Sequence, residues 1–86
     1  MSEKTVLVID DSTTIRRLVD KELSGQGYRV LVAGTAEEGV ETAKSQRPDL
    51  IILDHQLPGK TGYEVACELL ASPDTASIPV LSLIHI

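Results

Sequence analysis

Three aspartates in this chain are spaced so that they could do chemistry together. Asp10 and Asp11 stand side by side where the apolar run of residues 6–9 ends, and Asp54 stands where a second run, residues 50–53, ends. Adjacent carboxylates repel each other and resist burial, so a buried strand that stops on two of them calls for an explanation. In an open parallel α/β sheet, ligands bind beyond the carboxyl ends of the strands, where the strand order reverses. In a doubly wound sheet of order 2-1-3-4, the strands ending in Asp10-Asp11 and in Asp54 are neighbours, and all three acids meet at one rim. Each then raises the proton affinity of the others unless a cation sits among them. Oxygen donors with no His or Cys pattern favour Mg²⁺, which keeps several waters and can also hold phosphate oxygens. A carboxylate left facing the phosphorus can act as a nucleophile and form an aspartyl phosphate.

The elements that must position these acids are legible as alternating patterns. Thr5–Ile9 is a short apolar run of strand type. From Thr13 the period becomes helical, with Ile15, Leu18, Val19 and Leu23 on one stripe. Ser12 or a neighbouring Thr caps this helix, and Gly25 or Gly27 ends it. Residues 28–33 form the second strand. Thr35 and Glu38 are spaced as a capping box for the next helix, whose buried side is Ala36, Val40 and Ala43. Pro48 ends it. Residues 50–53 form the third strand and residues 55–62 a loop. Gly62–Ala71 is helical, residues 72–77 are a polar linker, and Ile78 opens a fourth strand. Strands that are apolar throughout and alternate with helices belong in a parallel sheet covered on both faces, β-α-β-α-β-α-β.

Bulk composition narrows the function classes. The chain has 86 residues and a net charge of −5, so it is one small domain without the basic face that phosphate backbones require. Nucleic-acid binding by this segment and an anionic membrane surface are therefore not expected. No apolar run approaches the roughly 20 residues of a membrane span, and no secretory leader is evident at the N-terminus. The single cysteine, Cys67, forms no internal disulfide and reads as a core residue on an apolar helical face. With 42% hydrophobic residues but only 2% aromatic, the core must be built from Val, Ile, Leu and Ala.

With those residues in view, the chain resembles the receiver domain of two-component response regulators. VLVIDDS is similar to that family's first strand and acidic pair, and LIILDHQLPGKTG to its phosphoacceptor strand and following loop. GYRVLVAGTAEEGVETA and IPVL are similar to its second strand and helix and its fourth strand. The resemblance covers residues 1–80 and implies a flavodoxin-like doubly wound sheet of order 2-1-3-4. It implies that Asp54 is the phosphoacceptor. Asp10, Asp11, Asp54 and the backbone carbonyl of Gln56 would be the Mg²⁺ ligands. The implied partner is a sensor histidine kinase or phosphotransfer protein, and the implied setting a cytoplasmic phosphorelay in which the domain is a switch and not an enzyme. A haloacid-dehalogenase-like aspartyl phosphatase is an alternative, although that class places D-x-D after its first strand. A docking module that is never phosphorylated is another.

The neighbouring residues invite readings of their own. His55 reads as a rim residue, Lys60 as a cation in the wrong element to be the family's lysine, Arg16 and Arg17 as solvated or partner-facing, and Thr61 as the cap of the third helix. The resemblance also implies a Thr or Ser after the fourth strand, where Ile84 and His85 stand, and a fifth strand with a Lys followed by further helices. The sheet expected here is thus incomplete, and the chain as given is expected not to transmit the signal. The face under the first helix should be partly bare and the fourth strand an open edge. Residues 81–86, LSLIHI, are what CTG TCT CTT ATA CAC ATC encodes, the end of a transposase sequencing adapter. They are therefore expected to be a non-native tail.

Overall fold

The structure, a computed structural model, describes residues 3–54 and 56–83; the readings placed on His55, Ile84 and His85 lie outside them. The elements run β1 (Thr5–Ile9), α1 (Thr13–Ser24), β2 (Arg29–Ala33), α2 (Ala36–Gln46), β3 (Leu50–Asp54), β4 (Gln56–Leu57), β5 (Lys60–Thr61), α3 (Gly62–Ala71) and β6 (Val80–Leu83). Four strands form one sheet in the order β2-β1-β3-β6, every pair parallel. This is the expected 2-1-3-4 order, with β6 as the fourth long strand.

Alternation along the strands splits the core in two. Leu7, Ile9, Ile51 and Leu53 point to the face covered by α2 and α3, where they pack with Ala36, Ala43, Val65 and Leu69. Val6, Val8 and Ile52 point to the other face, where Val19 and Leu23 of α1 lie over them half-buried. The first face is the larger. On the second, Val6 and Val8 are buried, so the expected bareness of β1 is not found there. Leu50 is only half-buried, beside an open hollow of about 380 Å³ that Leu23, Tyr28 and Ile52 help to line.

Local signals set most element ends. Ser12 caps α1 by accepting from the Ile15 amide, and Gly25 closes it. Arg47 ends α2 in the left-handed region at φ 46°, just before Pro48, and its guanidinium pairs with Asp74 at 2.9 Å. A mutual bond ties the starts of β1 and β3: the Asp49 amide donates to the Thr5 carbonyl, and the Thr5 amide to the Asp49 carboxylate, both at 2.8 Å.

Four expectations need correction. Leu18 is 55% exposed and does not join the packed stripe. Ile15, Val19 and Leu23 each advance about 40° round the helix, whereas Leu18 falls back about 60° from Ile15. Cys67 is exposed, because Val65 and Leu69 define the buried side of α3 and residue 67 lies opposite them. The box at α2 is skewed: Thr35 accepts from the Glu38 amide, but Glu38 reaches back to the amide of Gly34 and not of Thr35. Finally, residues 55–62 are not all loop. Gln56 pairs with Thr61 and Leu57 with Lys60 in a short antiparallel ribbon. Pro58 and Gly59, with Gly59 at φ 79°, occupy the central positions of a turn of type II pattern.

The box that does close lies at α3. Thr61 Oγ1 accepts from the Glu64 amide at 3.2 Å, and Glu64 accepts from the Thr61 amide at 3.2 Å. Replacing Thr61 by Ala removes one half of this pair, and loss of such a cap costs about 1 kcal/mol. Thr61→Ala should therefore unfold at lower urea with an unchanged slope, monitored by far-UV circular dichroism.

Candidate functional site

Register brings the acids together. Ile9 pairs with Leu53 across β1 and β3, so the residues that follow, Asp10 and Asp54, emerge side by side at the carboxyl rim. The amide of Asp10 donates to the Ala33 carbonyl at 3.0 Å, which holds the end of β1 against β2 after the last paired residues. A carboxylate oxygen from each of Asp10, Asp11 and Asp54 lies within 4.8 Å of the other two. Asp10 and Asp54 are 1% and 4% exposed, whereas Asp11 is open to solvent.

The entry to α1 orients the innermost of the three. The Ser12 amide donates to Asp10 Oδ1 at 2.9 Å, while the Ser12 hydroxyl accepts from the Ile15 amide. One residue thus caps the helix and fixes a carboxylate. The cluster suits a hard cation in its donor chemistry. Three carboxylates converge without a sulfur or imidazole ligand among the described residues, and one is open to water, as Mg²⁺ coordination requires. Gln56, the fourth residue of the expected ligand set, opens β4 two positions beyond Asp54.

Lys60 and Arg16 are engaged in contacts of their own. Lys60 Nζ bonds Glu68 Oε1 of α3 at 2.7 Å, and this bond holds the ammonium above its ordinary range. Lys60 therefore braces the ribbon on α3. Arg16 is half-buried and not simply solvated: its Nη2 donates to Thr13 Oγ1 at 3.2 Å, and Nη1 would stand 2.9 Å from a methyl group placed on Gly34. Arg17 is exposed. Sequence reasoning missed Gly39, which sits buried in α2 directly on Ile9; a Gly inside a helical pattern is a cost that asks for a packing reason but does not say which neighbour supplies it.

The chain is similar to known proteins in both sequence and fold. The family described as the response regulator receiver domain matches residues 6–85. The transcriptional regulatory protein AfsQ1 of Streptomyces coelicolor is 40% identical over 78 residues, covering 91% of this chain and 34% of that protein. The N-terminal domain of a response regulator receiver protein from Methanoculleus marisnigri superposes with a TM-score of 0.90 at 36% identity, covering 94% of this chain and 66% of that one. The chemotaxis response regulator CheY4 of Vibrio cholerae does so with a TM-score of 0.90 at 32% identity, covering 94% and 68%. The chain belongs to the response regulator receiver domain family. It spans about a third of the length of the curated regulator it matches at 40% identity.

The crowding of negative charge has a measurable consequence. Two unit charges about 4 Å apart repel by about 1 kcal/mol even at the dielectric constant of water. Asp54→Asn keeps the shape and removes one charge, so it should leave the fold intact and raise metal-free stability by about 1 kcal/mol. Urea denaturation in EDTA measures this, and a loss of stability would show that repulsion does not dominate at the rim.

Proposed function

We propose that this receiver accepts a phosphoryl group on Asp54 from the phosphohistidine of a sensor kinase or phosphotransfer protein. The observation that carries this reading is the gathering of three carboxylates at the rim, two of them buried, around the end of β3. A carboxylate oxygen of Asp54 attacks phosphorus, the phosphorus–nitrogen bond of the donor breaks, and the departing imidazole takes a proton from solvent. The product is an acyl phosphate on Asp54. Asp10, Asp11 and Asp54, with the backbone carbonyl of Gln56, would hold Mg²⁺. When bound, that ion supplies positive charge against the oxygens of the incoming group.

The chain's own residues do the rest. The Ser12 amide keeps Asp10 aimed at the rim. Asp11 stays in water, where an ion arrives with its hydration shell. Burial of Asp54 at the foot of β4 limits attack by water on the acyl phosphate. The phosphoryl group of the product carries about −1.5 to −2 charges where the Asp54 carboxylate carried one, and this change beside Asp10 and Asp11 is the signal. In this reading the domain is a cytoplasmic switch and not an enzyme, since it turns over no external substrate.

Incubation with acetyl phosphate and Mg²⁺ tests the assignment by intact-mass spectrometry. The wild-type chain should gain the mass of one phosphoryl group, and Asp54→Asn or addition of EDTA should abolish the gain. Label that persists in Asp54→Asn would remove Asp54 as the acceptor. Asp11→Ala should weaken Mg²⁺ binding by about tenfold or more, equivalent to about 1.4 kcal/mol, as followed by NMR titration.

A further inference from the structure

Helix α2 packs on the residue just before the acidic pair through a position that has no side chain. A methyl group on Gly39 would stand 2.5 Å from Ile9 Cδ1, 2.7 Å from Cγ1 and 2.9 Å from Cγ2. Ile9 is fully buried and immediately precedes Asp10. Both branches of its side chain lie against Gly39, so turning χ1 only exchanges one clash for another, and a β-branched residue has few rotamers to spare. Relief would require the backbone to move by about 1 Å, the gap between these distances and ordinary contact.

That movement would not stay local. Ile9 pairs with Ala33 on one side and Leu53 on the other. The next amide, Asp10, bonds the Ala33 carbonyl, and Ala33 leads through Gly34 and Thr35 into α2 itself. The end of β1, the end of β2 and the first half of α2 therefore form a closed loop in which Gly39 leaves no room for a side chain against Ile9. The two aspartates next to that contact must meet Asp54 across β3.

We propose that Gly39 is a positioning residue for the acidic site: by letting α2 seat directly on Ile9, it fixes where Asp10 and Asp11 stand relative to Asp54. This rests on the phosphoacceptor reading for its effect on rate, but not for its effect on geometry. Misplacing reacting groups by about 1 Å can cost about 100-fold in rate. A small residue at this position is thus part of the site, though it touches neither the phosphoryl group nor an ion.

The test uses Gly39→Ala, Ile9→Ala and their double variant in the full 86-residue chain. Phosphorylation by acetyl phosphate at saturating Mg²⁺ gives the rate, and hydrogen exchange of the Asp10 amide reports its bond to Ala33 without reference to phosphorylation. Gly39→Ala should lose about 10- to 100-fold in rate and exchange Asp10 faster. Removing the Ile9 branches should rescue it, so that the double variant outpaces Gly39→Ala despite its poorer core. Wild-type rate and exchange in Gly39→Ala would overturn the proposal, as would a slow variant that Ile9→Ala makes slower still. If Gly39→Ala does not fold, Ile9→Ala alone decides: it empties the seat from the other side and should also speed Asp10 exchange, and unchanged exchange would overturn the proposal. A wild-type chain that takes no phosphoryl group fails the phosphoacceptor reading, and the exchange data then judge the positioning role by themselves.

Discussion

The rest of the structure depends on holding three carboxylates at one rim against their mutual repulsion. Parallel pairing of β1 with β3 brings Asp10 and Asp54 to the same edge, because the pair Ile9–Leu53 ends the shared register just before them. Nothing in that pairing favours the acids themselves. What offsets their repulsion is the burial of Leu7, Ile9, Ile51 and Leu53 below them, each fully inaccessible to solvent. Burying one such side chain contributes about 1.5–3 kcal/mol, more than the repulsion of a partly hydrated acid pair. The site is an acidic edge on a well-packed sheet.

The packing is uneven in a way that serves the site. The face under α2 and α3 is continuous from Leu7 to Leu69, and it is this face that supports Ile9 and Leu53, the residues just before the acids. The face under α1 has no fully buried helix residue and holds mostly valines and partly covered leucines. Helix α1 contributes less by apolar packing than by its entry turn, where Ser12 serves as cap and as partner of Asp10. A helix start is a sound place to fix an acid, since its free amides seek acceptors.

Cations in and around the loops are spent on structure. Lys60 binds Glu68 and braces the β4–β5 ribbon on α3. Arg47 binds Asp74 across the turn at the opposite end of the sheet from the acids. Arg16 lies against the loop at Gly34. The two ion pairs are exposed enough to be screened by solvent, so their effect is chiefly to fix loop geometry.

The sequence by itself determined the class of fold and the acids. Short runs that are apolar throughout mark the strands, and a 3.6-residue period marks the helices between them. Local chemistry placed the ends: Ser12, Thr35 and Thr61 start helices, and Pro48 stops one, by bonds and clashes within a few residues. The strand-terminal positions of Asp10, Asp11 and Asp54 were legible for the same reason. Tertiary structure decided everything that depends on which surfaces meet. It alone exposed Cys67 and Leu18, since an apolar stripe does not say which of its edges finds a partner. It paired Gln56–Leu57 with Lys60–Thr61, because a two-residue ribbon carries too little periodicity to read. It redirected Glu38 to Gly34, where the close of β2 left an amide within reach. And it gave Gly39 its meaning, because a residue without a side chain leaves no pattern of its own; only the approach of Ile9 shows why nothing larger fits.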